Sequence, residues 1–277
     1  MAFNVNELIL DKVRSLTAHD LSDGKMLFRL TSLEEPSLTT SAEGEEVVDA
    51  IGALITTLYR AKRATFSASN SLISLDLAAA QFGAKKTVAT STAKIKVPTY
   101  EIITIGENAK EVTLKHTPVG EISHIYTIEN GEIGTSYKYG SAASETDFVL
   151  AGDKITLPTF STSAGEGGTS TTTSLTGKIY VEYVYESEEA NQVINKTSEF
   201  PESCSMRIYA YFRDKCNDNI VYSGVIIANK AKLNPEQVEL ALTSTGKHAF
   251  EFQMMRDYCD EEAELFSIIV ANDEDEE

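Results

Sequence analysis

Residues 59–86 read YRAKRATFSASNSLISLDLAAAQFGAKK. A basic segment, Arg60, Lys62 and Arg63, leads into small hydroxyl residues and then into a short apolar period. From Leu58 to Ala68 the chain alternates as a strand does, but neither face is cleanly apolar. Such a strand belongs at a subunit boundary or on a wet surface rather than across a dry core. Residues 70–83 then read as a helix. Asn70 or Ser71 can cap it, Leu72, Leu75, Ala79 and Phe82 form one stripe, and Gly83 stops it at the usual left-handed position. Lys85 and Lys86 follow, where a helix dipole favours cations. One helix beside extended segments sets the expectation of a mainly β fold.

Working outward, VNELILDKVRSL near the N-terminus spaces Leu8, Ile9, Val13 and Leu16 as a second, short helix would. Asp23-Gly24 marks a turn, and KMLFRLTSL after it alternates as a strand. Residues 34–46 read as an acidic loop holding a short strand, and Asp49–Gly52 as a turn between extended segments. Residues 100–185 break into short strands at the spacing of a sandwich, including SHIYTI, DFVLAG and KIYVEYVYE. The Gly/Ser/Thr-rich run 161–177 reads as a mobile loop and lacks the lysine of a phosphate-binding loop. Longer strands return in SMRIYAYFR, IVYSGVIIANKAKL, AFEFQMM and LFSIIVA, before an acidic end, NDEDEE. The expected organisation is a core in two parts, 1–99 and 186–271, a β module at 100–185, and a disordered acidic tail at 272–277.

The 277 residues carry a formal net charge of −18, unevenly spread. Residues 1–97 balance 11 basic against 11 acidic groups, and the remaining 180 carry the whole excess. Such a chain repels a polyanion unless cations neutralise its phosphates. No apolar run is long enough for a membrane span, and the N-terminus is too acidic for a signal peptide, so synthesis in the cytoplasm and no membrane partner are expected. The three cysteines, with no Cys-x-x-Cys spacing, read as buried free thiols. His19, His116, His124 and His248 follow no metal spacing. RDYCDEEAE at 256–264 lacks the periodicity of a calcium loop and reads as a solvated acidic loop. The tyrosines of YVEYVYE suit either a sugar-binding face or ordinary cross-strand pairs. No cofactor, metal or catalytic constellation is expected, and the chain is not expected to be an enzyme.

Two phrases carry a resemblance: VVDAIGALI…RAKRATFSASNSLISLDLAAAQFG and NIVYSGVIIANKAKLNPEQVELALTSTGKHAFEF. With the order of parts, they make residues 24–97 and 190–271 resemble the tail tube (major tail) proteins of tailed bacteriophages. The resemblance implies a tail-tube-type β-sandwich or barrel with one flanking α-helix, plus an inserted immunoglobulin-like β domain. It implies homohexameric rings that stack into a channel for DNA ejection, in the virion tail. Partners would be further copies of the chain and other tail proteins, such as the tape measure, the terminator and a sheath. Genomic DNA would transit without sequence-specific binding. Ring contacts would use Arg60, Lys62 and Arg63 against carboxylates of a neighbour, with Glu45, Glu46, Asp257 and Glu261 as candidates. A phage capsid or decoration protein, and a carbohydrate-binding adhesin-like β module, are the alternative readings.

Overall fold

A computed structural model describes residues 6–162, 171–217, 219–243, 246–257 and 264–272. They form two compact units, one from Met1–Lys86 with Val193–Glu277, the other from Thr87–Gln192. The first opens with β1 (Leu8–Asp20), β2 (Met26–Leu30), β3 (Leu33–Val48), β4 (Leu54–Asn70) and α1 (Leu75–Phe82). The second holds β5 (Thr87–Val88), β6 (Ile95–Ile105), β7 (Glu111–Thr113), β8 (His124–Glu129), β9 (Glu132–Tyr139) and β10 (Asp147–Ala151). It continues with β11 (Lys154–Thr156), β12 (Thr159–Thr162), β13 (Thr171–Ser174), β14 (Gly177–Ser187) and β15 (Asn191–Gln192). The first unit resumes with β16 (Ser203–Asp214), β17 (Val221–Leu233), β18 (Glu239–Leu240), β19 (His248–Met254) and β20 (Ser267–Ala271).

In the first unit the strands run β2-β1-β16-β17-β19-β4-β3, with β18 on β19 and β20 on β17. Strand β17 changes partner along its length: Ser223–Ile227 pair β20, and Ala231–Leu233 pair β19. The sheet therefore turns over on itself. Phe28 of β2 stacks on Phe252 of β19, ring centroids 6.3 Å apart, although three strands separate them in the order. The near-barrel closes around alternate residues: Leu16 and Ala18, Phe28 and Leu30, Ala64 and Phe66, Met206 and Ile208, Phe250 and Phe252 are all buried. A period of two on each strand thus supplies one apolar core. Helix α1 adds Leu77 to that core.

Three expectations change. Residues 8–20 are strand, not helix: β1 pairs β16 from Leu8 to Asp20, with bulges at Leu10/Lys12 and Val13/Ser15. Each bulge shifts the alternation by one residue, and the shifted pattern imitates a helical period. Residues 34–46 are not a loop but the body of the 16-residue β3, paired to β4 with irregularities at Glu34/Ser37 and Ser41/Glu43. The helix is shorter than expected. Its cap is Ser74, whose hydroxyl accepts from Leu77 N at 3.2 Å. Leu72 and Leu75 are exposed, and Leu77, Ala78, Ala79 and Gln81 form the buried side. Gly83 closes it at φ 66° as expected.

The second unit has a seven-stranded sheet, β6-β14-β8-β9-β10-β11-β7, and a separate core that includes Ile125, Phe148, Ile155, Leu157, Ile179 and Val181. It extends beyond the expected 100–185. Strands β6 and β14 pair without a break from Ile105↔Gly177 to Ile95↔Ser187, and β5 pairs β15 outside them. Pro98 lies within β6, which is an edge strand and so tolerates a missing donor. The run 161–177 is not all loop: Thr171–Ser174 form β13, paired to β12. Residues 163–170 of that run, and residues 273–277 of the acidic end, lie outside the described residues.

Candidate subunit interface

The 59–86 stretch begins on a long hairpin. Strands β3 and β4 stay paired from Leu33↔Asn70 to Val48↔Leu54. The near half belongs to the core through Ala64, Phe66 and Ala68. The far half does not, because residues 41–46 and 58–63 are exposed on both faces. At its tip the Asp49 carboxylate accepts from Ile51 N at 3.0 Å and Ala53 N at 2.7 Å, and Gly52 takes φ 86°. An aspartate and a glycine at those positions make the turn that the sequence announced. The far half is nevertheless greasy: Ile51 is 90% exposed and Tyr59 76%, with Val48, Leu54, Ile55 and Leu58 exposed beside them. A two-stranded ribbon is at best marginally stable alone in water, and a contiguous exposed apolar patch marks an interaction site.

Ala61 marks where the hairpin changes character. Its φ of 51° is left-handed, and the register slips opposite it, between Ser41 and Glu43. This bulge explains why alternation from Leu58 to Ala68 was imperfect. The two arginines beside it pair within the chain. Arg60 forms an ion pair with Glu45, and Arg63 Nη2 lies 3.2 Å from Glu43 Oε1. Both pairs join β4 to β3 within one chain, so neither arginine needs a neighbour's carboxylate to be neutralised. Lys62 is exposed and makes no ion pair among the described residues. Glu46 is exposed in register with Thr57. Asp257 lies 3.5 Å from Lys230 Nζ. Glu261 lies outside the described residues. The sequence reading named Glu45 but missed Glu43 and the apolar set from Val48 to Tyr59. A run of apolar residues flanking a tight turn was the available signal.

The helix end of the stretch is locked by a buried network. His248, fully buried on β19, accepts from Ser74 N at Nδ1 (3.4 Å) and donates from Nε2 to Gln81 Oε1 (2.5 Å). Gln81 Nε2 donates to the Ala249 carbonyl at 3.0 Å. The Ser74 N–H fixes the neutral tautomer, since Nδ1 must then be the acceptor. Burial lowers the His248 pKa. His19 is lowered too, by burial and by Arg207. Its Nδ1 is buried without a partner.

Elsewhere the chemistry-bearing residues serve structure. Cys204 is buried, its thiol pushed up to about 12 by desolvation, whereas Cys216 is exposed rather than buried as expected. Cys259 lies outside the described residues. The tyrosines of YVEYVYE divide between faces. Tyr180 stacks on Tyr100 across strands at 5.4 Å, Tyr183 is buried and donates to Glu101, and Tyr185 stacks on His116 at 4.0 Å. Burial, then the Glu101 bond, push the Tyr183 pKa up to about 12. Among the described residues no three His, Cys, Asp or Glu side chains gather as metal ligands would, and no helix is long and apolar enough to cross a membrane.

These features define a mainly β protein whose most prominent uncommitted element is a β arm with an apolar tip. The chain belongs to the YomU/Tube protein family, whose family model matches residues 8–268. No curated protein matches the chain.

Proposed function

We propose that the chain is a structural subunit of a phage tail tube, assembling as stacked hexameric rings that form the channel for DNA ejection. Family membership gives the class, and the β3–β4 arm carries the reading. A ribbon exposed on both faces, with six large apolar side chains near its tip, has surface to bury only against another molecule. A second copy of the chain is the occupant a closed ring requires, since ring closure also covers the free edges of the sheet. The second unit, Thr87–Gln192, is in this reading an immunoglobulin-like outward addition. The reading makes the chain non-enzymatic. Other tail proteins would meet the tube at its ends or its outer wall.

The net charge supports the same reading. A wall that conducts DNA must not hold it, and a chain at −18 repels phosphates. Electron microscopy of the purified full chain, alone and with the tail's initiator complex, tests the proposal. Hollow tubes of stacked rings are expected. A chain that stays monomeric under both conditions sinks it.

A further inference from the structure

The folded sheet of the first unit has two outward faces, and their chemistry is opposite. One lies over β2, β1, β16, β17 and β20. Its ladder rows read Arg29–Thr17–Arg207–Ile227–Ser267, then Ser15–Tyr209–Val225–Ile269, then Lys12–Tyr211–Ser223–Ala271. Three cations and two tyrosines stand in these rows, with no carboxylate. Lys12 and Arg14 both lie over the Tyr211 ring, at 5.5 and 5.6 Å.

The other face lies over β3, β4 and β19. Its middle row is Ser37–Ser67–Glu251, and the next is Thr39–Thr65–Gln253, continued to Lys232 at the far side. The row on the other side of Ser67 is Glu34–Ser69–Ala249–Glu239. The centre of this face is short hydroxyls and an amide, and its three rows carry three carboxylates, Glu34, Glu239 and Glu251, against one cation, Lys232. Glu251 there accepts from Asn234 Nδ2 at 3.0 Å. The nearest arginine, Arg63, is held by Glu43.

We infer that the β3–β4–β19 face is the channel wall, and that the Arg29/Arg207/Tyr209 face is turned away from the channel. The inference rests on the tube reading above and goes further, because it chooses between two faces. Cations are what make a surface hold DNA, through phosphate neutralisation and counterion release, and aromatic faces add base stacking. A wall of Arg29, Arg207 and Tyr209 would brake a moving polyanion. Ser, Thr and Gln offer neutral contacts, Glu34, Glu239 and Glu251 repel phosphate, and Lys232 is the single cation in these rows. Size argues the same way. Strands spaced ~4.8 Å apart, three from each of six copies, draw a backbone circle of roughly 14 Å radius. Short side chains leave that bore open, whereas arginine or tyrosine would reach well into it.

The test is a cryo-electron reconstruction of tubes assembled from the full chain, joined to a retention assay. Thr65, Ser67 and Gln253 are expected to project into the bore. Tubes of a Thr65→Lys, Ser67→Lys variant are expected to retain at least tenfold more fluorescent duplex DNA than wild-type tubes. A bore lined by Arg29, Arg207 and Tyr209 overturns the inference while leaving the tube reading intact. Wild-type tubes in which neither face reaches the bore overturn it equally. A chain that forms no tube removes the tube reading, and this inference with it.

Discussion

His248 is the residue on which helix α1, the one α-helix among the described residues, depends, and its chemistry makes that dependence sensitive to acid. It is buried and neutral, its Nδ1 engaged by Ser74 N and its Nε2 by Gln81. Protonation would aim a second N–H at the Ser74 N–H. Burial holds the folded pKa below the unfolded value of about 6.5. Below that unfolded value the unfolded chain binds a proton that the folded chain refuses, so stability falls as pH falls. The loss should reach at most about 1.4 kcal/mol per pH unit until the folded group also titrates. Urea melts at pH 7 and pH 5 check this: wild type should lose more stability between the two than His248→Gln does. Equal losses would mean that the ring is not the group responsible. Gly83 is a second such residue. It combines a φ of 66° with a backbone so close to Phe200 that any Cβ would collide with its carbonyl. Gly83→Ala should therefore cost more than the ~1 kcal/mol of left-handed backbone alone, read as a lowered denaturation midpoint. Gly83 was legible in sequence because its role is local. The Ser74 cap was not, because its partner stands 174 positions away on β19. Ser71 had the same local chemistry.

The same contrast between local and distant causes runs through the elements. The β16–β17 pair read correctly because Met206, Ile208 and Ala210 alternate with Arg207 and Tyr209 in a register unbroken from Met206 to Arg213. Strand β1 did not, and β4 was legible as a strand but not in its faces, because bulges at Asp11, Arg14 and Ala61 reverse which face a given parity presents. The arm was half visible. Its turn and its arginines were plain, but carboxylates were sought on another subunit, whereas Glu43 and Glu45 of β3 reach them diagonally across the ladder. That finding changes what the arginines do in an assembly. Exposed pairs contribute about 0.2–1 kcal/mol each, enough to bias the register of a ribbon with no core of its own. An Arg60→Glu, Arg63→Glu variant should keep a folded first unit yet fail to form tubes, as seen by circular dichroism and electron microscopy. Adding Glu43→Arg and Glu45→Arg should restore tubes. Normal tubes from the first variant would show that the pairs play no part in assembly. At the tip, Ile55→Ser with Leu58→Ser should abolish tubes while leaving the denaturation midpoint within about 0.5 kcal/mol, because exposed positions contribute little to the folded chain.

At the scale of the molecule, the question is whether the second unit is needed for the first to fold. The two apolar cores share no residue: one draws on Val13 to Ala80 and on Cys204 to Phe266, the other on Ile103 to Tyr185. The chain leaves the first unit at Lys86 and re-enters it at Val193, and between those points Thr87 and Gln192 are direct β partners. Facing residues of an antiparallel pair lie about 5 Å apart, so the first unit has a gap to span that one or two residues could close. Closing it with a short flexible linker adds little loop entropy, which grows only with the logarithm of length. A chain with residues 87–192 replaced by Gly-Ser-Gly should therefore fold, with a denaturation midpoint near that of the same transition in the full chain. Residues 87–192 alone should fold too, since their seven-stranded sheet and its core lie wholly inside that segment. If the arm is the assembly element, the shortened chain should also form tubes, visibly thinner in electron micrographs. Loss of tubes from a folded shortened chain would assign assembly to the second unit, and the arm would lose its proposed role.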